Sequence, residues 1–372
     1  MAVGDISRIA NTTIPKFIYG AEDAMIRRQK IMAILRDRGK IELDHSGTVR
    51  NWRLEMQLVP LQAFTSGDVV TFAQSDRFRT ATLDPRATTV GDQIDVLQME
   101  MNKGEEAIVK LMESIVPGMT RSITQQWNRV AYQDGSLTST SVHGFDSMTG
   151  LGTNSTNQPI VFPSGTYAGL STVLGTAGGG SWEQVSSLSN WPDGVGDEQH
   201  DFFTPLIVNY QSNNSGTAGW SAATKTWPNT CVEALRYGIA FQSKNVADRE
   251  DALDLIIMPT NLLRQYQNAL DTKERAVITR GDGRSGLYRL GWGDTINFEG
   301  VDVTSEYGTP TNKAYGWSFG NTLLASWQDR LFKSLQKDWD PTTLAWRFVI
   351  LFFGNFFFTT PRFFLKFVDN GN

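Results

Sequence analysis

The longest stretch with one hydrophobic period covers residues 103–135. Ile108, Leu111, Met112, Ile115, Met119, Ile123, Trp127 and Val130 recur at gaps of one, three and four, which places them on one stripe of a helix. Asn102 suits the cap position, Glu105 and Glu106 suit the positive end of the dipole, and Gly135 suits a left-handed turn at the far end. A helix of about 30 residues would be roughly 45 Å long, more than twice the usual globular length. Pro117 removes one backbone donor and crowds the turn before it. Because the stripe continues in phase beyond Pro117, the pattern predicts one kinked helix, with two shorter helices as the alternative.

Ahead of this helix the pattern changes three times. Residues 1–19 lack periodicity and contain Pro15, so they read as an arm that needs another surface to order it. A helix is expected over 20–39, with Met25, Met32 and Leu35 on one side and Ile31 and Ile34 beside them. Its polar side carries Arg27, Arg28, Lys30, Arg36 and Arg38, with Lys40 just beyond. A solvated face is the plain reading of that run, and a face toward phosphate or an acidic partner is the sharper one.

From 41 to about 90 the period is two. Trp52, Leu54, Met56 and Leu58 alternate with Arg53, Glu55 and Gln57, as in a half-buried strand. A turn is expected at Thr65-Ser66-Gly67-Asp68, followed by strand sequence through Phe72 and again from Arg77 to Leu83. Together these form an antiparallel ribbon, and an isolated ribbon is marginal in water. No helix in the intervening sequence can cover it, so the cover is expected from another subunit.

After the long helix, residues 136–230 are rich in Gly, Ser, Thr and Asn, with Trp182, Trp191, Trp220 and Trp227 scattered among them. A helix over 229–243, a buried strand over 253–258 and a helix from Pro259 onward predict a mixed α/β layer. Strands follow at 295–298 and 301–303. The aromatic run 345–369 is too apolar to be exposed and reads as interior strands.

Composition narrows the chemistry. A chain of 372 residues can hold two domains and a large core. The net charge of −5 argues against a dedicated nucleic-acid-coating protein. Cys231 is the single cysteine, which excludes a disulfide framework, and His45, His143 and His200 are too dispersed for metal-ligand spacing. No signal peptide is evident, and the apolar run 348–358 is well short of a membrane span, so a soluble chain made in the cytosol is expected.

Two motifs fail on context. Gly281-Asp282-Gly283-Arg284-Ser285-Gly286 matches a dinucleotide fingerprint, but no helix-forming sequence follows to receive a pyrophosphate. Gly316-Trp317-Ser318-Phe319-Gly320 matches a nucleophile elbow, yet all three histidines precede Ser318, so it reads as an aromatic strand with glycines. A carboxylate pair of the glycosidase kind is not singled out by any local sequence. No catalytic residue, cofactor or metal is assigned.

Several phrases, in order, resemble a known family. Gly39-Lys40-Ile41-Glu42-Leu43-Asp44-His45-Ser46-Gly47 followed by Trp52, then His143-Gly144-Phe145-Asp146-Ser147, then Asn297-Phe298-Glu299-Gly300-Val301-Asp302-Val303, then Ala345-Trp346-Arg347-Phe348, Phe353-Gly354-Asn355 and Pro361-Arg362 are similar to segments of tailed-phage major capsid proteins with the Hong Kong 97 fold. The resemblance implies an α+β chain in five parts: an N-terminal arm and helix at 1–40, an extended loop with peripheral-domain strands at 41–102, a spine helix at 103–135, an axial domain at 136–325, and closing peripheral strands at 326–372. It implies a structural protein, not an enzyme, that assembles with itself as hexamers and pentamers into an icosahedral shell in the host cytoplasm and resides in the virion. Packaged double-stranded DNA would lie non-specifically on the inner face, no membrane is involved, and the portal is a further partner.

With only about forty residues ahead of the ribbon, scaffolding would come from a separate protein. No lysine occurs between 41 and 102, so a lysine isopeptide from the extended loop is not expected, and a decoration protein is a further candidate partner. Candidate inter-subunit contacts are Trp52, Leu54, Met56, Leu58, Phe64 and Phe72, with Arg53, Arg77 and Arg79; the alternative for the anchors Trp52, Leu54, Met56 and Leu58 is packing within their own subunit. Burying one such apolar side chain is worth about 1.5–3 kcal/mol. The competing classes are a carbohydrate-active or glycan-binding β-rich protein, whose tryptophans would stack on sugars, and another virion part such as a portal or tail component.

Overall fold

The computed structural model describes residues 29–55, 63–69, 78–95, 105–150, 160–161, 163, 165–173, 203–212, 220–222, 224–244, 251–273, 287, 290, 292, 295–328, 330–334, 338–340, 342 and 344–369. In chain order these give α1 (Lys30–Asp37), β1 (Ile41–His45), β2 (Arg50–Glu55), β3 (Phe78–Leu83), β4 (Arg86–Asp95) and α2 (Glu105–Val130). The short strands β5 (Ile160–Val161), β6 (Thr166–Tyr167), β7 (Leu170–Ser171) and β8 (Leu206–Asn209) follow, then α3 (Trp227–Lys244), β9 (Leu255–Met258) and α4 (Thr260–Lys273). The last part contributes β10 (Ile296–Phe298), β11 (Val301–Ser305), β12 (Ala314–Trp317), β13 (Thr322–Trp327), β14 (Lys333–Ser334), β15 (Asp338–Asp340), β16 (Ala345–Phe358) and β17 (Leu365–Val368).

Pro117 does not split the long helix: α2 runs through it as one element of 26 residues. Met119, Ile123 and Trp127, spaced by four, are buried on one stripe as the period requires. The side chains of Ile108, Leu111 and Met112 lie outside the described residues. The helix ends at Val130, earlier than the pattern suggests, where the amides of Tyr132 and Gln133 fold back on the carbonyls of Arg129 and Val130. Gly135 does not supply a left-handed turn. It is required because a Cβ there would sit 2.8 Å from the backbone of His143.

The first sheet is built on β16. Its 14 residues pair along one edge with β4 and along the other with β13, β14 and β15 in turn, and β1 adds in parallel to β13. Trp127 of α2 packs on Phe332, Phe352 and Phe356 at ring separations of 4.9, 4.4 and 5.9 Å. This joins helix and sheet in one core. At Gly354 the backbone of β13 comes so close that a Cβ would meet the Ala325 oxygen. Next to it, the buried Asn355 accepts the His143 amide at 2.9 Å and donates to the Asp84 carbonyl at 2.9 Å. One side chain thus ties three remote segments together.

The second sheet has the order β10-β11-β9-β12-β17-β8-β5. On β9, Ile256 and Met258 face α3 and α4, whereas Leu255 and Ile257 belong to the core shared with the first sheet. Burial on both faces is why this strand reads as a continuous apolar run. The chain's last strand, placed by sequence among the closing strands of the first sheet, instead enters the second. β17 lies between β12 and β8, and all four of its residues are buried. The predicted boundary at 325 likewise falls inside β13.

The basic side of α1 is largely spent within the chain. Lys30 is buried and donates to Thr304 and Ser305, Arg38 pairs with Asp254, and Lys40 donates to the Gly320 carbonyl at 3.0 Å. Arg27 and Arg28 lie outside the described residues, as does the arm before them.

Candidate assembly surface

β2 and β3 pair as the antiparallel ribbon that the period-two pattern predicts, in a register that sets Trp52 opposite Ala81 and Leu54 opposite Arg79. Opposed residues share a face, so Arg50, Trp52 and Leu54 line one side with Leu83, Ala81 and Arg79. Burial falls along this side. Leu83 and Ala81 are buried, Trp52 and Leu54 are half-buried, and Arg79 is exposed. The described part of the ribbon is seated on the core at its Arg50–Leu83 end and leaves it toward Glu55 and Phe78.

The seat belongs to this chain. Trp52 donates its Nε1–H to the Thr359 carbonyl at 3.0 Å and meets Phe357 edge-on at 5.9 Å. Leu54 packs against the same core. The premise that nothing in the chain covers the ribbon therefore fails for Trp52 and Leu54. The aromatic end of β16 and the residue after it provide the cover. Arg50 lies 5.2 Å over the Phe357 ring and pairs through both guanidinium nitrogens with Glu42, whose carboxyl is held below its usual range by that hydrogen bond. Trp327 donates to the Gly47 carbonyl at 2.8 Å and fixes the turn between β1 and β2.

The opposite side of the ribbon faces away from the core. Arg53 stacks over the exposed Phe78 ring at 4.0 Å, a cation–π contact across neighbouring strands. At the expected turn, the Asp68 amide donates to the Thr65 carbonyl and Gly67 takes a φ of 103°. Flanking it, Phe64 is 71% and Val69 91% exposed. Large apolar side chains carried into solvent on a projecting ribbon suit contact with another protein surface. Met56, Leu58, Phe72 and Arg77 lie outside the described residues.

The competing chemistry finds little support in the geometry. Trp220 and Trp227 are buried and donate to the carbonyls of Asn209 and Leu262, so neither ring is open to a sugar; Trp182 and Trp191 lie outside the described residues. Ser318 is buried at the end of an aromatic strand. Among the described residues, no group of His, Cys, Asp and Glu could hold a metal ion, and no helix is long and apolar enough to cross a membrane.

No family model and no curated protein matches the sequence. Solved structures do match the fold. The capsid asymmetric unit of cyanophage A-1(L) superposes with a TM-score of 0.53 at 14% identity, covering 92% of this chain and 93% of that one. The capsid of a native GTA particle superposes with a TM-score of 0.51 at 9% identity, covering 92% and 91%. The chain has the Hong Kong 97-type capsid fold. At such identities the shared feature is the α+β architecture over nearly the whole length, which the resemblance anticipates. Sequence reasoning did not find the seat of the ribbon. The signal was present in the run Phe356-Phe357-Phe358 at the end of β16, but nothing local says which ring receives Trp52.

Proposed function

We propose that this chain is the major head subunit of a tailed-phage-like particle, assembling with copies of itself as hexamers and pentamers into an icosahedral shell around double-stranded DNA. The observation that carries the reading is the near-complete match of both chain lengths to two capsid subunits. In this reading α2 is the spine helix, the ribbon and first sheet form the peripheral domain, and the second sheet with α3 and α4 forms the axial domain. The projecting half of the ribbon, with Phe64, Arg53 and Arg79, lies over a neighbouring subunit, and Met56, Leu58, Phe72 and Arg77 extend that contact. Trp52 and Leu54 serve it indirectly, by setting the ribbon's angle from the base.

The role is mechanical and requires no cofactor. A scaffolding protein, a portal and a decoration protein are the expected partners, and the subunit resides in the virion after assembly in the host cytoplasm. The test is negative-stain imaging and size-exclusion chromatography of the purified, concentrated chain, alone and with its scaffold. Capsomers or closed particles support the reading. A strict monomer at high concentration with an ordered ribbon overturns it.

A further inference from the structure

α1 has no cap of its own. Gln29 makes no side-chain capping bond, and the first turn contains no acidic residue. The cap comes instead from the loop after β11, where Glu306 accepts the Lys30 amide on Oε1 at 2.8 Å. The other carboxylate oxygen accepts the Tyr132 hydroxyl, just past the end of α2, at 3.0 Å. One buried carboxyl therefore joins the start of α1, the end of α2 and the loop between β11 and β12. Around the junction stand Lys30 on α1, Arg129 and Tyr132 at the end of α2, Tyr307 on the same loop, and Asp146, held by Lys366 at 2.7 Å. The Lys30 amine donates to Thr304 and Ser305, and its charge favours the ionised Glu306 carboxyl without outweighing burial. A cavity of about 550 Å³ lined by Glu306, Tyr132 and Arg129 lies against the junction.

We propose that Glu306 is a proton-operated latch: protonated, it locks α1 onto the loop and the end of α2, and ionised, it leaves this three-way junction labile. In the protonated form the carboxyl donates its proton to the Tyr132 oxygen and the Lys30 amide keeps its acceptor, so both links persist and the carboxyl itself carries no buried charge. Burial raises the Glu306 carboxyl to about 6, and the bonds from Lys30 and Tyr132 offset only part of that. Since the folded value lies above the ordinary 4.5, the contribution to stability is fully present below 4.5 and is lost as pH rises through about 6. The segment so controlled is α1.

The test is hydrogen exchange of the full chain, following the amides of Ile31, Met32, Ala33, Ile34 and Leu35 after correction for intrinsic rates. In the wild-type protein the opening equilibrium of α1 should rise about tenfold from about pH 5 to about pH 7.5, while in Glu306→Gln it should stay flat. The same rise in Glu306→Gln, or no rise in the wild type, overturns the latch. Carbon-13 titration of the wild-type Glu306 carboxyl decides independently of the variant's folding: a midpoint near about 6 supports the latch, and one at the ordinary glutamate value of about 4.3 overturns it.

Discussion

The two terminal guanidinium nitrogens of Arg38 meet the two carboxylate oxygens of Asp254 at 2.9 and 2.8 Å, across 216 positions of chain. Asp254 also accepts the Phe319 amide at 2.9 Å, and Arg38 lies 5.6 Å over the Phe319 ring. α1 is thus held at both ends by the second sheet, by Glu306 at its start and by Asp254 at its end. Arg38→Met leaves a carboxylate only 5% exposed without its counter-charge. Removing one partner of a fully buried pair costs about 3–5 kcal/mol, and because Arg38 is a quarter exposed the expected loss is about 2 kcal/mol. Urea denaturation measures it. Arg38→Met with Asp254→Leu should recover part of the loss, since no buried charge is then stranded.

The ribbon separates seat from contact. Trp52→Ala removes the ring from Phe357 and the bond to Thr359, and should cost about 2 kcal/mol of subunit stability, less than a fully buried tryptophan would. Phe64→Asp with Val69→Asp changes strongly exposed positions, so the subunit should melt as the wild type does while particle yield falls at least tenfold in sedimentation. Normal shells from that double variant would place the interface elsewhere.

His143 gives a pH dependence opposite in sign to that of Glu306. Burial pushes its imidazole down to about 4 from 6.5, with Arg86 adding to the effect. A depressed folded value means the stabilising contribution is present above 6.5 and is lost as pH falls toward 4, by about 3 kcal/mol in full. Denaturation midpoints measured across that window should fall for the wild type and flatten for His143→Gln.

For the shell proposed above, the absence of lysine from 41–102 predicts that no covalent links run from the ribbon. Exposed arginine–carboxylate pairs contribute only about 0–1 kcal/mol each, so apolar contacts should dominate. Particles boiled in detergent should run as a single band at 41.4 kDa. A ladder of covalent multimers refutes this.

Local periodicity made much of the architecture legible. The stripe Met119, Ile123, Trp127 fixed a face of α2, and the alternation of Trp52 and Leu54 with Arg53 and Glu55 fixed a ribbon strand, because side-chain direction follows from backbone period alone. Relations between distant segments were not legible. Leu365–Val368 reads as an apolar strand in either sheet, and only its pairing with β12 and β8 decides which. Glu306 has no sequence signal as a helix cap, since the helix it serves lies 276 residues away. Trp52 has a pattern that says it is half-covered, but the pattern cannot say by which chain.

β4 offers a last consequence. The ribbon strand β3 passes into it through Asp84 and Pro85 alone, and β4 then lies antiparallel to β16 over ten residues, from Arg86 beside Gly354 to Asp95 beside Ala345. Hydrogen bonds in such a pair run across the strands. Tension drawn along β4 therefore loads all of them together in shear, and no single bond yields first as it would in peeling. A pull that enters from the ribbon is shared along the length of one strand before it reaches the helix behind the sheet.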